Sequence, residues 1–157
     1  MDRNELLQYL PPVQNVWEVV TQDQSVKDII KQVIKAHYDN QLYYDKIALF
    51  FDATTVPEIL DNIYDFIKDN IRYKEESDAA QTTAIPAGIL ARGFGDCKHY
   101  ASFAGGILSA IKRLTGKRFS WHYCFASYDL FNKVPYHVFI VVQDGGTEYY
   151  LDPVPGS

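Results

Sequence analysis

The chain has 157 residues, 47% of them apolar and 15% aromatic, which suits one folded domain with a packed core and excludes a disordered chain. Its net charge of -5, with Lys and Arg spread thinly, speaks against a nucleic-acid partner. Two cysteines do not make a disulfide framework, and no apolar run reaches membrane-spanning length. The N-terminus, Met1-Asp2-Arg3-Asn4-Glu5, lacks the order of a secretory signal, so the chain reads as cytoplasmic.

The first half reads helical. Ser25 is placed to cap a helix running through about His37, Asp28 completes a Ser-x-x-Asp start, and Val26, Ile29, Ile30, Val33 and Ile34 form one apolar stripe. Residues 41–51 are predicted helical as well, although Tyr43, Tyr44, Phe50 and Phe51 blur the period. Thr55 with Glu58 resembles a capping box and Pro57 suits a first turn. Ile59, Leu60, Ile63, Phe66 and Ile67 then line one face of a helix ending near Asn70.

Residues 77–95 carry no period, apart from a short helical turn that Pro86 opens over 87–91. A helix is predicted from Cys97 to about Lys112, with Cys97, Ala101, Ala104, Leu108 and Ile111 on one face. Gly105 and Gly106 each cost about 1 kcal/mol against alanine inside a helix, so close approach of another element is expected there. Residues 119–128 alternate, with Phe119, Trp121, Tyr123 and Phe125 on one side and Ser120, His122, Cys124 and Ala126 on the other. Residues 136–143 are apolar on both sides, as in an interior strand. Asp144-Gly145-Gly146 then signals a hairpin into a returning strand, 147–151.

Chemistry concentrates at three positions. Cys97 opens its helix after Gly93-Phe94-Gly95-Asp96, and a helix start offers N–H groups and a positive dipole end that favour a thiolate. His137 and Asp152 follow on separate strands, in the order of a Cys-His-Asp nucleophile, base and orienter. Asp96 is the expected N-cap, and its charge opposes the thiolate. The Cys97 backbone N–H would steady a tetrahedral oxyanion, with Gln81 or the Trp121 indole as candidate second donor.

Each residue also has a plainer role: a buried cysteine is often a small hydrophobe, His137 could be a hydrogen-bonded core residue, and Asp152 before Pro153 could only end a strand. His99, about 200° around the helix from Cys97, is expected on a helix flank. His122 shares a strand face with Cys124 and is the rival base. Cys97, His99, His122 and Cys124 lack any standard zinc-ligand spacing, so no metal is expected; a Cys97 to Cys124 disulfide is another minor alternative. No dense acidic loop implies calcium.

The hairpin register decides whether the triad is possible. With Gly145 and Gly146 as a two-residue turn, Asp144 faces Thr147, Phe139 faces Asp152, and His137 lies diagonally from Asp152 on one sheet face. With a three-residue loop, Asp152 falls opposite Val138 and points to the other face.

Gly95-Asp96-Cys97-Lys98-His99-Tyr100-Ala101, then Tyr136-His137-Val138, then Tyr150-Leu151-Asp152-Pro153, together resemble the three-part signature of the transglutaminase-like superfamily. Ile71-Arg72-Tyr73 is similar to the segment that often precedes the cysteine in its microbial members. The resemblance covers about residues 55 to 154 and leaves 1–54 as a helical N-terminal extension of a single domain. It implies an α+β, papain-like core in which a cysteine-bearing helix packs on an antiparallel sheet that presents histidine and aspartate. It further implies a cysteine peptidase or amidase passing through a thioester, with a peptide or protein substrate and no cofactor. A protein-crosslinking acyltransferase and a non-catalytic binding module are the alternatives. Position 99, often acidic in such motifs, is histidine here.

Overall fold

The computed structural model describes residues 1–11, 17–21, 26–76, 81–127 and 136–156. In chain order these form α1 (Arg3–Leu7), β1 (Trp17–Thr21), α2 (Val26–Asp39), α3 (Gln41–Ile47), a 3-10 turn (Ala48–Phe51) and α4 (Val56–Asn70). There follow β2 (Arg72–Tyr73), β3 (Gln81–Ala84), α5 (Pro86–Arg92), β4 (Phe94–Gly95), α6 (Cys97–Thr115), β5 (Ser120–Ser127), β6 (Tyr136–Asp144) and β7 (Thr147–Leu151). The fold is α+β, with the cysteine-bearing helix α6 packed on a three-stranded antiparallel sheet, β5-β6-β7.

Local signals behave as the sequence predicts where they are strong. The Thr55 hydroxyl accepts the Glu58 N–H at 3.4 Å and donates to the Glu58 carboxylate at 2.8 Å, starting α4 at the predicted cap. Ile59, Leu60, Ile63, Phe66 and Ile67 are all buried. In helix α2 Val33 and His37 are buried, whereas Ile34 of the expected stripe is exposed. Ser25, the expected cap, lies outside the described residues.

Helix α6 is buried on nearly every side from Cys97 to Leu108, because β5 and β6 cover one flank while α2, α3 and the 3-10 turn cover another. The two glycines meet the close approach their positions call for. A Cβ on Gly105 would run into Tyr123 and Trp121, and one on Gly106 into the ring of Tyr44. Tyr44 is itself fully buried and cannot yield. Gly106→Ala is therefore expected to lower stability by about 1–3 kcal/mol despite alanine's better helix propensity, as read by urea denaturation. A neutral or stabilising result would show that the helix can shift on its neighbours.

The β6–β7 hairpin takes the two-residue turn: Asp144 pairs with Thr147 and Ile140 with Leu151, and Gly145 adopts a positive φ of 62°. Val138, Ile140 and Val142 face α6 and the core. His137, Phe139 and Val141 take the opposite face by strand alternation.

Two regions depart from the sequence reading. The first half is not wholly helical, because β1 pairs antiparallel with β3, Trp17 opposite Ala84 and Val19 opposite Thr82. The stretch 77–95 also contains the strands β3 and β4, while α5 is the short helix expected after Pro86. Trp17-Glu18-Val19-Val20-Thr21 is aromatic and β-branched, a composition that suits a strand, but its partner lies far along the chain and leaves no local period. Among the described residues no helix is long and apolar enough to cross a membrane.

Candidate active site

The entry to α6 is set by two short strands. β2 and β4 pair in parallel, with Arg72 opposite Phe94 and Tyr73 opposite Gly95, so the chain reaches Asp96 in an extended conformation. The Asp96 carboxylate accepts the Lys98 N–H at 3.2 Å, the predicted N-cap. His99 completes the capping box, its Nδ1 accepting the Asp96 N–H at 3.0 Å, where an acidic or amide side chain is usual. The expectation that His99 lies on a helix flank is thus wrong: it is 2% exposed and wedged against Asp96 and Glu76. The angle that turns it away from the thiol turns it into a second covered face.

Lys98 is buried between two carboxylates, 2.5 Å from Glu76 and 2.6 Å from Asp96. Glu76, Asp96 and His99 bring ligand-type atoms within 4.8 Å of one another, but the Lys98 ammonium already bridges the two carboxylates and supplies the positive charge there. Burial pushes the Asp96 carboxyl up; His99 and Lys98 outweigh it and hold the group well below the usual carboxylate range. Asp96 is therefore a fixed negative charge beside the cysteine.

Cys97 is 6% exposed and packs with Ala101 and Val138. Burial pushes its thiol up and the Asp96 charge adds to that; a hydrogen bond from the Val138 backbone and the Lys98 charge pull the other way. The net value is about 11, so the resting thiol is neutral. This corrects the expectation that the helix start stabilises a thiolate. The dipole end is present, but low-polarity surroundings and an adjacent anion outweigh it.

His137 and Asp152 meet as the two-residue register requires. His137 Nε2 lies 2.6 Å from Asp152 Oδ2, and the other carboxylate oxygen accepts the Val154 N–H at 3.3 Å. The Phe139 ring stacks on the imidazole with centroids 5.7 Å apart. With Nε2–H donated to Asp152, the lone pair of the neutral ring is on Nδ1. The thiol bonds to the backbone of Val138, the residue after His137, and feels the Asp152 charge. The Val138 backbone and the Asp152 charge thus reach the thiol from β6 and the end of β7, while the His137 ring leaves β6 on the sheet face opposite the Val138 side chain that Cys97 packs against.

The remaining candidates separate. The Trp121 ring lies against Gly105, eight residues along α6 from Cys97 and so about 12 Å up the helix, which removes it as an oxyanion donor. The Gln81 side chain lies outside the described residues; only its strand backbone is placed, opposite Thr21. His122 is exposed on β5, paired with Val141 and away from the Asp152 end of the sheet. Cys124 pairs with Phe139 on the outer face, whereas Cys97 packs on Val138 at the inner face, so the two thiols are free and do not form the alternative disulfide. The same division keeps Cys97, His99, His122 and Cys124 from gathering around a zinc ion.

The sequence reading missed two features: the buried Lys98 ammonium with its partner Glu76, and Tyr73, whose ring packs on the Cys97 cluster and edge-on to Tyr100 at 5.7 Å. Only the second left a signal, in the Ile71-Arg72-Tyr73 segment. Comparison of the chain with protein-family models, with curated proteins and with solved structures finds no match.

Proposed function

We propose that the chain is a transglutaminase-like cysteine hydrolase, a peptidase or amidase acting through a thioester acyl-enzyme. Cys97 is the nucleophile, His137 the base and then the acid, and Asp152 the orienter. The observation that carries this reading is the 2.6 Å pair of His137 Nε2 and Asp152 Oδ2, formed beside the residue whose backbone bonds the Cys97 thiol.

The thiol proton passes to His137 Nδ1 as sulfur attacks the amide carbon and the carbonyl electrons move onto oxygen. Collapse of that intermediate restores the C=O bond and expels the amine, which takes the proton from His137 and leaves a thioester on Cys97. Water then gives a proton to His137 and attacks the thioester; the acid leaves and the thiol recovers its proton. A thiol raised to about 11 suits proton removal during attack, not a standing thiolate-imidazolium pair. Burial of that thiol also favours a second reading, a non-catalytic module retaining an unused triad.

p-Nitrophenyl acetate separates these readings in a Cys124→Ala background. The hydrolase reading expects a burst of one p-nitrophenolate per chain and an acetyl group on Cys97 by mass spectrometry. Absence of both would leave the module. Adding glycine ethyl ester distinguishes water from an amine as acceptor: preferential acetyl transfer to the amine would turn the reading to the acyltransferase.

A further inference from the structure

An oxyanion formed on Cys97 calls for two donors, and the helix start supplies one, the Cys97 N–H. Trp121 is too far along α6 to be the other. The geometry points to Tyr73 as the second donor, its phenolic O–H turning from Glu75 to the substrate oxyanion beside Cys97; this rests on the hydrolase reading above.

Tyr73 is placed by the backbone, since β2 pairs it with Gly95, two residues before the nucleophile. Its ring lies on the cluster of Cys97, Ala101 and Val138 and is braced edge-on by Tyr100 at 5.7 Å. Tyr100 is anchored in turn, its hydroxyl donating to the Ile71 carbonyl at 2.5 Å, so the platform under Tyr73 is rigid. The Tyr73 hydroxyl donates to Glu75 Oε1 at 3.4 Å, well beyond the usual O–H···O distance of about 2.7–2.8 Å. That bond is weak and readily exchanged for a short one to a charged oxygen.

The phenol is also kept protonated. Burial raises it first, and the charges of Cys97, Glu75 and Asp96 add to that, holding it well above the ordinary phenol value. The Cys97 charge is felt at Tyr73, whose ring packs on the cysteine's cluster. In the reaction the C=O electrons move onto oxygen as sulfur attacks. The Tyr73 proton stays on the phenol throughout and only lends its hydrogen bond.

The test compares p-nitrophenyl acetate with p-nitrophenyl thionoacetate on the Cys124→Ala chain and on the same chain carrying Tyr73→Phe. Sulfur accepts hydrogen bonds poorly, so the thiono substrate reports attack without help from the oxyanion donors. Phenylalanine preserves the ring packing and removes only the hydroxyl. The expected result is an oxygen-ester acylation rate lowered about 10²-fold, a thionoester rate nearly unchanged, and a burst still equal to one acyl group on Cys97 per chain. Equal loss on both substrates would make Tyr73 a packing residue and overturn the assignment. No loss on either would overturn it as well, while acylation of Cys97 would leave the hydrolase reading intact. If Cys97 is never acylated in the parent chain, both readings fall together.

Discussion

Removing the His137 imidazole is expected to slow acylation of Cys97 by p-nitrophenyl acetate about 10²–10⁴-fold at pH 7. The size follows from the thiol. A group raised to about 11 is thiolate in roughly one chain in 10⁴ at neutral pH, so a base that removes the proton during attack has a large gain to make. His137→Ala should retain only what the rare thiolate provides, with a rate climbing tenfold per pH unit until about 11. The parent chain should lie well above that line at pH 7. Asp152→Asn should fall between them, because the Nε2–H partner that fixes the tautomer is weakened while the packing of the imidazole on Phe139 stays. Stopped-flow p-nitrophenolate release from pH 6 to 10 reads all three. Coincidence of the parent and His137→Ala profiles would remove His137 from the mechanism.

Acid should destabilise the fold through His37, a residue outside the site. It is 3% exposed, lies 5.3 Å from the Trp121 ring and 6.2 Å from that of Tyr123, and its Nδ1 has no hydrogen-bond partner among the described residues. Burial, then the Arg113 charge, pushes it down to about 4. Around it stand Tyr38 of its own helix, Tyr44 of α3, Tyr123 of β5 and Arg113 of α6, the last ion-paired with Asp45. A histidine whose folded value is depressed binds its proton more readily in the unfolded chain. Its contribution is complete above about 6.5 and is lost as pH falls from there through about 4. The loss amounts to about 2–3 kcal/mol. Urea denaturation of the parent and of His37→Leu between pH 7.5 and 4 isolates it: the variant should lack this part of the acid slope. Identical slopes would show that His37 does not carry the effect.

The same nest explains why the middle of α6 tolerates two glycines. Gly105 and Gly106 let Tyr123, Trp121 and Tyr44 close on the helix, so His37 becomes walled in by rings. The wall that buries it leaves the Tyr123 hydroxyl without a hydrogen-bond partner among the described residues too. Packing of α2 on this side therefore gains apolar contact at the expense of two polar atoms.

What the chain's own order determined is local. The Thr55 cap, the period of α4, the glycine-to-cysteine helix start and the Asp144-Gly145-Gly146 turn each depend on neighbours a few residues apart, so their outcomes were legible. The turn carried the most, because strand period 2 leaves one register that puts His137 and Asp152 on one face, and the two-residue turn selects it. Tertiary structure decided everything that depends on what arrives from a distance. β1 and β3 acquire a strand only by pairing with residues far along the chain, Trp17 with Ala84, and His99 is buried because it packs against Asp96 and Glu76. The Cys97 thiol is neutral for the same reason: the helix-end dipole is written locally, but burial and the surrounding charges are sums over the folded chain, and here those sums win.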